Sequence, residues 1–406
     1  MADWVQSQSR SENVAASRQR EDGTGATLSK DTTQAAIVGV GQTNFGELYA
    51  RPQAPRDPYG LAAAALREAL DDAGLTIADV DGLICSRVDY GRMATVLGLQ
   101  HPRVVNSYEG SGRMSGVAVQ TAASLIADGR AGVVALVYGN NGRSAEYKYA
   151  GQDSAPEVAK HDRMYGMTSP GAYVGMMWRR YQHQYDAPDG ALAPVAINNR
   201  YHAARNPGAV MRDEITAEEY MQARWVADPL RLYDYCIIND GGVAMIITSA
   251  ERARSLRKPP VRIAASASSG NLTNYYTSTD FFYGPCRETA DRVYAQAGLR
   301  PEDIDCLEIY DNFTPVVLFT LEGFGHADRG TAWEWVKDGK LAFDRERPTN
   351  TCGGHTGESY MQGWSLHVEA VRQLRGEAEG RQVKDCRTAQ YMCASPIVSS
   401  HILVRD

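Results

Sequence analysis

The chain has 406 residues, of which 43% are apolar and 22% are charged, and its net charge is −7. This length predicts two domains or two halves, and the negative charge argues against binding to nucleic acid. The sequence has no apolar run of about 18 residues that would span a membrane, no apolar signal-peptide core and no CxxC pair among its seven cysteines. We therefore expect a cytoplasmic protein without a disulfide scaffold or a zinc site.

The first predicted elements alternate between buried strands and helices. Residues 1–33 contain almost no apolar side chains and are predicted to form a disordered tail. The apolar run at residues 35–41 (AAIVGVG) then has the pattern of a buried strand. Asp57 and Pro58 supply the N-cap and the first turn of a helix that ends near Gly74.

The later elements repeat this order. A strand is predicted at residues 82–85, a helix at 116–127, a strand at 133–137, and a glycine turn into a buried strand at 240–247. The tripeptide Ala-Gly-Leu at residues 73–75 recurs at 297–299, and the strand-like run at 261–265 resembles the run that begins at Ala35. Such internal repetition implies a duplicated βαβ-type half.

One segment, residues 143–228, interrupts the repeat and is rich in Tyr, Met, Arg and Trp. An insertion of this size is typically a lid, a ligand wall or an oligomer contact, and a helical cover over the sheet is the alternative. The predicted division is therefore residues 34–142 with 229–255 for the first half, 143–228 for the insertion, and 256–406 for the second half.

Three polar segments stand out from the repeat. Residues 105–112 (VNSYEGSG) form a glycine-rich turn before a helix, where backbone N–H groups point at an anion or a thioester oxygen. Residues 308–314 (EIYDNFT) follow a buried strand, where parallel α/β proteins place ligands. Residues 350–363 (NTCGGHTGESYMQG) combine titratable side chains with four glycines, and that combination indicates catalytic chemistry.

These segments and the duplicated halves resemble the thiolase superfamily over residues 35–406. The strongest motifs are YDNFT at 310–314, LEGFG at 321–325, NTCGG at 350–354 and EAVRQLRG at 369–376. Within the superfamily, the sequence is most similar to the lipid-transfer, sterol-carrier-protein-type branch that includes the steroid side-chain acyl-CoA aldolases. The resemblance implies an α/β thiolase-like fold in which two duplicated βαβαβαββ halves form five layers, α-β-α-β-α.

The chain departs from the thiolase pattern at the reactive positions. Glu109 or a neighbour holds the place of the thiolase nucleophilic cysteine, and Tyr360 holds the place of the histidine in the Gly-His-Pro motif. Cys393 falls at or near the second thiolase cysteine, but the glycines that normally follow it are missing. Thiolysis needs a thiolate and a base that activates it. A retro-aldol cleavage needs only a base for a β-hydroxyl proton and donors for an enolate oxygen.

The resemblance suggests a set of site residues. Tyr360 is the predicted acid or base, Asp311 and His355 either orient it or cap a turn, and Cys393 is either a reactive thiol or a small buried residue. A second tyrosine is expected, and the spacing does not choose among Tyr275, Tyr276 and Tyr283; the predicted catalytic set is Tyr360, Asp311, His355, Tyr283 and Cys393.

The same resemblance suggests how the substrate is held. The predicted positions that contact coenzyme A are Gly353, Gly354, Ser266 and Gly112. The remaining histidines have no ligand-like spacing, so we expect no metal and no bound cofactor, with coenzyme A present only as part of the substrate. Coenzyme A is expected to lie under residues 143–228.

The sequence therefore predicts an acyl-CoA aldolase that cleaves a β-hydroxyacyl-CoA, with a steroid or aromatic side chain, into a ketone or aldehyde and a shorter acyl-CoA. Two alternatives stay open: a thiolase or acetyl-CoA acyltransferase that uses Cys352 or Cys393, and a non-catalytic acyl-CoA-binding or lipid-binding subunit. The resemblance also implies a homodimer that forms through the first halves, and a small zinc-ribbon/OB-fold partner that binds acyl-CoA and completes a heterotetramer.

Overall fold

The computed structural model describes residues 35–51, 55–108, 114–147, 162–167, 169–271 and 278–405. The predicted tail lies outside the described residues, as do Glu109, Gly112, Tyr275 and Tyr276. The strands are β1 (Ala35–Gln42), β2 (Gly82–Ser86), β3 (Val104–Tyr108), β4 (Val133–Asn141), β5 (Trp225–Ala227), β6 (Leu230–Arg231), β7 (Asp240–Ser249), β8 (Val261–Gly270), β9 (Cys306–Ile309), β10 (Thr388–Cys393) and β11 (Ile397–Arg405).

The α-helices connect these strands and cover both faces of the sheet. They are α1 (Phe45–Ala50), α2 (Pro58–Ala73), α3 (Tyr90–Leu97), α4 (Met114–Ala127), α5 (Pro170–Tyr185), α6 (Ala193–Arg205), α7 (Ala217–Gln222), α8 (Ala250–Ala253), α9 (Tyr283–Ala297), α10 (Thr314–Gly323), α11 (Ala332–Trp335), α12 (Gly354–Gly357) and α13 (Trp364–Arg375). None of those in the described ranges is long and apolar enough to cross a bilayer.

Nine strands form one mixed sheet in the order β3-β2-β4-β7-β1-β8-β11-β10-β9. In the first half, β2 and β4 are parallel, and β7 runs antiparallel to both β4 and β1. The second half repeats this pattern, because β9 and β10 are parallel and β11 runs antiparallel to both β10 and β8. The duplication predicted from the sequence is therefore present in the strand connections.

The second half differs from the first at its outer edge. Among the described residues, no strand in the second half corresponds to β3, and a single parallel bridge between Leu307 and Thr349 stands in its place. The chain leaves the sheet at Asn350, which has φ of 52°. The Asn350 side chain continues the pairing, because its Oδ1 accepts from Ile309 N at 2.6 Å and its Nδ2 donates to Ile309 O at 3.0 Å.

The helices pack in the layers that the resemblance implies. Helix α2 covers the outer face of the first half, and α9 with α10 covers the outer face of the second half. Helices α4 and α13 lie between the halves, where each contacts strands of both. The predicted N-cap is also confirmed, because Asp57 accepts from Tyr59 N at the start of α2 and Gly74 ends the helix with φ of 71°.

One sequence expectation about the sheet was wrong. Gly241 and Gly242 do not form a turn but lie within β7, which runs without interruption from Asp240. The physical reason for glycine here is space, because a Cβ at Gly242 would lie 2.1 Å from the carbonyl oxygen of Leu61 in α2. Gly242 therefore lets α2 approach the sheet closely.

Candidate active site

Two tyrosines from distant parts of the second half meet at the centre of the site. Tyr310 follows β9 and Tyr360 lies in the loop between α12 and α13, and their hydroxyl oxygens are 2.7 Å apart. Tyr310 is 4% exposed and Tyr360 is 9% exposed. The backbone fixes both residues, since Tyr310 N donates to Met392 O at 2.8 Å and Tyr360 N donates to Ile237 O at 3.2 Å.

The Tyr310 hydroxyl is a very weak acid in these surroundings. Burial, and then the neighbouring Tyr360, raise the pKa of Tyr310 well above its usual value. The Tyr310 hydroxyl therefore keeps its proton at any physiological pH. A tyrosine in this state is a fixed hydrogen-bond donor to an oxygen beside it.

The ring of His355 stands edge-on to both tyrosines. Its centroid is 4.9 Å from that of Tyr310 and 5.2 Å from that of Tyr360, with interplanar angles of 70° and 84°. Gly363 N donates to His355 Nε2 at 2.9 Å, so Nε2 carries a lone pair and the proton of the neutral ring is on Nδ1. That Nδ1 lies 3.0 Å from Asp311 Oδ1, and both side chains are fully buried.

Asp311 is held by donors from two elements. Its Oδ1 accepts from the backbone N of His355 at 2.9 Å, and its Oδ2 accepts from Asn199 Nδ2 at 2.7 Å. The contact between His355 Nδ1 and Asp311 Oδ1 is close but is not aligned as a hydrogen bond. The two aligned donors to Asp311 are therefore the backbone N of His355 and the side-chain amide of Asn199. The carboxylate therefore joins the loop that begins at Asn350 to helix α6.

The paired glycines of this loop serve packing. Gly353 has φ of 106°, and a Cβ there would lie 2.7 Å from Cβ of Ala203 in α6. Gly354 has φ of 59°, and its Cβ would lie 2.2 Å from Asp311 Oδ2. Both glycines are buried, so their predicted role in contacting coenzyme A has no accessible surface in this structure. The loop needs glycine at both positions because a larger residue would clash with Ala203 or Asp311.

The N-termini of the two central helices meet beside the tyrosine pair. Gly363 precedes α13, and a Cβ on it would lie 2.5 Å from Oγ of Ser115 in the first turn of α4 and 2.6 Å from the hydroxyl of Tyr391. The hydroxyls of Ser115 and Tyr391 are 2.9 Å apart. Helix N-termini attract negative charge, so this end of the site suits an anionic oxygen.

Cys393 is buried in the same cluster as Tyr310, Tyr360 and Tyr391. Its Sγ lies 3.6 Å from Oγ of Ser395. The structure therefore brings Cys393 to the site, as the sequence predicted, although its role as a reactive thiol stays a prediction.

Cys352 is placed unfavourably for a nucleophile. Burial, and then the carboxyl groups of Glu358 and Glu308, raise the pKa of the Cys352 thiol well above its usual value. A nucleophilic cysteine needs a lowered pKa, so these surroundings oppose the thiolate that an acyltransferase would use here.

Tyr283 and Ser266 lie elsewhere, which corrects two sequence expectations. The Tyr283 hydroxyl donates to Glu322 in an aromatic cluster at the start of α9, and Glu322 also accepts from Tyr181 at 2.5 Å. The tyrosine that reaches Tyr360 is therefore Tyr310. Ser266 is buried in β8, where its N donates to Gln296 Oε1 at 3.1 Å, and this position is closed to coenzyme A.

The sequence reasoning missed Tyr310 and Asn199. Tyr310 opens the YDNFT motif at the end of β9, and its position at a strand end was the available signal. Asn199 lies in α6, inside the insertion. Two consecutive asparagines in the middle of a helix are unfavourable for helix formation, and this local conflict was the only sequence sign of a role. Within the described ranges, no group of three or more His, Cys, Asp or Glu residues is placed to hold a metal ion.

The layered, duplicated fold and the site at the ends of its two central helices define a thiolase-fold α/β protein. A family model of the thiolase N-terminal domain matches residues 35–251, and one described as thiolase C-terminal domain-like matches residues 267–404. The chain belongs to the thiolase family.

Its relatives include two carbon–carbon lyases by name. The chain is 36% identical over 360 residues to a 17-hydroxy-3-oxo-4-pregnene-20-carboxyl-CoA lyase of Mycobacterium tuberculosis, which covers 84% of this chain and 92% of the relative. It is also 36% identical over 358 residues to a steroid side-chain-cleaving aldolase of Thermomonospora curvata, covering 84% of this chain and 90% of the relative.

A solved structure described as the Ltp2-ChsH2(DUF35) aldolase has the same fold. It superposes with a TM-score of 0.83 at 34% identity and covers 93% of this chain and 99% of that one. The two folds therefore correspond over nearly the whole of both chains.

Proposed function

We propose that the protein is an acyl-CoA aldolase, a carbon–carbon lyase that cleaves a β-hydroxyacyl-CoA with a steroid side chain. The observation that carries the proposal is the hydrogen-bonded pair Tyr310–Tyr360, in which Tyr360 is the residue that the sequence resemblance assigns to the place of the thiolase histidine. The names of the two relatives that are 36% identical specify a steroid acyl-CoA lyase and a steroid side-chain aldolase, and this supports the same substrate class here.

The proposed reaction begins with proton transfer to Tyr360. As the β-hydroxyl of the substrate loses its proton, the Cα–Cβ bond breaks and its electron pair moves to the thioester as an enolate. The β-carbon becomes the carbonyl of a ketone or aldehyde. The enolate carbon then takes that proton back from Tyr360, which restores the deprotonated tyrosine, so the products are the carbonyl compound and a shorter acyl-CoA.

The surrounding groups fit these steps. Because Tyr310 keeps its proton, it would donate a hydrogen bond to the Tyr360 oxygen 2.7 Å away and so favour the deprotonated form of Tyr360 as the base. His355 has its Nε2 lone pair occupied by Gly363 N, so it orients the tyrosines instead of accepting a proton. The enolate oxygen would lie near the N-termini of α4 and α13, whose dipoles stabilise negative charge.

The proposed test is ketone release from a β-hydroxyacyl-CoA with a steroid side chain, followed by mass spectrometry. The wild-type protein should yield equal amounts of a ketone and a shorter acyl-CoA, and Tyr360→Phe should yield neither at a comparable rate. If the wild-type complex forms no ketone from any such ester but still binds it, the non-catalytic alternative replaces the aldolase.

The thiolase alternative makes a different observable species. Incubation with an acyl-CoA followed by intact-protein mass measurement would show an acyl group on Cys352 or Cys393. We expect no adduct, because the pKa of Cys352 is raised and thiolysis requires a thiolate. A stable thioester at either cysteine would replace the aldolase with an acyltransferase.

We also propose that the protein assembles with a small acyl-CoA-binding partner of the DUF35 type. The support is the solved structure at TM-score 0.83, which is described as an Ltp2-ChsH2(DUF35) aldolase. Coenzyme A would lie under residues 143–228, and two copies would pair through their first halves. Co-expression with such a partner, followed by light scattering, tests this, and a heterotetramer mass is the expected result.

A further inference from the structure

The inserted helix α6 reaches directly into the candidate active site. Asn199 is 1% exposed, and its Nδ2 donates both to Asp311 Oδ2 at 2.7 Å and to Thr356 Oγ1 at 2.8 Å. Because a carboxylate has no proton to donate, its partner atom in Asn199 must be the amide nitrogen, and this fixes the orientation of the amide.

Few hydrogen-bond donors stabilise the negative charge of the Asp311 carboxylate. Among the ion pairs of the described residues, Asp311 is paired only with His355, and that ring is neutral in the tautomer set by Gly363. The aligned donors to the carboxylate are the backbone N of His355 and the amide of Asn199. A buried carboxylate that loses one of two such donors moves or takes up a proton.

The contact between α6 and the loop is also tight along its length. The carbonyl oxygen of Asn199 leaves room only for glycine at position 357, where a Cβ would lie 2.8 Å away, and Ala203 imposes the same limit at Gly353. The backbone of α6 at Asn199 and Ala203 therefore packs directly against the loop that carries His355 and Tyr360.

We infer that Asn199 is a positioning residue for the proposed aldol cleavage: it keeps the Asp311 carboxylate against His355, and His355 in turn fixes the geometry of the Tyr310–Tyr360 pair. This inference rests on the proposed function and adds a residue from the insertion to its machinery. It makes the insertion part of the catalytic unit and not only a cover over the substrate.

The first test compares neighbouring alanine variants. Asn198 is the matched control, since it is also buried in α6 but donates to Thr349 O at 3.1 Å and not to Asp311. We expect Asn199→Ala to lower kcat about 10-fold to 100-fold with KM changed less than about threefold, and Asn198→Ala to leave kcat within about threefold. Equal kcat values for the two variants would overturn the inference.

The second test exchanges the amide of Asn199 and the carboxylate of Asp311. It distinguishes an effect on the positions of the catalytic groups from an effect on the stability of the fold. Asn199→Asp places a second carboxylate against Asp311, so the pair shares a proton and its folded-state pKa is raised. The melting temperature of N199D should then fall relative to wild type as pH rises from 5 to 8. The double variant N199D/D311N restores one carboxylate and one amide, so this pH dependence should disappear.

The exchange should not restore catalysis, because the carboxylate then lies at position 199 and no longer faces His355. Recovery of stability without recovery of kcat is the expected result, and full recovery of kcat would show a merely structural role. The melting temperatures can also be measured without a substrate, so they test the Asn199–Asp311 contact independently of the proposed reaction. If wild type releases no ketone, the aldolase proposal fails, whereas a pH-independent N199D melting difference means that the Asn199–Asp311 contact itself is wrong.

Discussion

Gly354 lies so close to Asp311 that a Cβ atom at position 354 would be 2.2 Å from Asp311 Oδ2. The glycine is therefore required twice, once by this contact and once by its φ of 59°. Any side chain there must push the carboxylate away from His355 or displace the loop that carries Tyr360.

The prediction from this contact uses two Gly→Ala variants. Gly98 has a similar φ of 68° but nothing within 4 Å of its Cβ position, so Gly98→Ala should cost only the strain of the left-handed backbone, about 1–2 kcal/mol. Gly354→Ala should lose about 100-fold or more in turnover and more unfolding free energy than Gly98→Ala. Chemical denaturation and ketone release measure both, and equal losses would mean that the contact is unimportant.

The tyrosine pair should behave as one unit. We expect Tyr360→Phe to lower kcat by about 10²–10⁴ because it removes the proposed base, and Tyr310→Phe to lower it by less because it removes only a hydrogen bond to that base. The double variant should resemble Tyr360→Phe alone. Steady-state kinetics of the three variants, with circular dichroism to check folding, test this; multiplicative losses would show that the tyrosines act separately.

Four buried histidines should make the fold sensitive to acid. Burial lowers the pKa of His202 and His401 to about 4 and that of His326 and His367 to about 3. The unfolded chain takes up these protons near pH 6.5, so their contribution to stability is complete above that pH and is lost as pH falls toward 4.

Each such histidine should add about 1.4 kcal/mol per pH unit to the slope of unfolding free energy in this window. Replacing His326 by Gln should therefore reduce that slope. Urea titrations at pH 4.5–7 measure the slope. A slope that is the same in wild type and in the His326 variant would contradict the buried neutral state.

Glu308 should make the stability of the fold depend on pH in the opposite direction from the histidines. Burial, and then the nearby Glu369, raise its pKa well above the usual value, while the ion pair with Arg381 at 2.8 Å keeps Glu369 ionised. A raised folded-state pKa means that stability is complete at low pH and falls as pH rises through the folded value.

Glu308→Gln imitates the protonated carboxyl and should therefore gain stability relative to wild type as pH rises from 5 to 8. The matched variant Glu369→Gln should be destabilised by about 3–5 kcal/mol, because it leaves Arg381 buried without its partner. Melting temperatures across this pH range decide the matter, and a loss of stability in Glu308→Gln at pH 8 would show that Glu308 is ionised.

The sequence was sufficient for the fold, because the strand and helix patterns and the motifs that identify it are local, whereas Tyr360 as the acid or base stays a prediction. It could not show which second tyrosine meets Tyr360, since that meeting depends on where the chain leaves the sheet at Asn350. Asn199 was harder still, because it acts through a contact between the insertion and a loop that is distant in the chain. Ser266 was misplaced for a simpler reason, which is that a strand pattern does not reveal what covers the strand.

Strand β9 lies at one end of the sheet and has no strand on its outer side among the described residues. This arrangement affects how copies of the protein can associate. The bridge from Leu307 to Thr349 and the side chain of Asn350 occupy the outer edge of β9, whereas no strand of the described residues pairs with the outer edge of β3. Of the two ends of the described sheet, only the β3 end is then open to a strand from another copy. If two copies joined edge to edge at β3, the described sheet would offer no free edge to a third, so such growth would stop at a closed, twofold pair instead of continuing into a fibre.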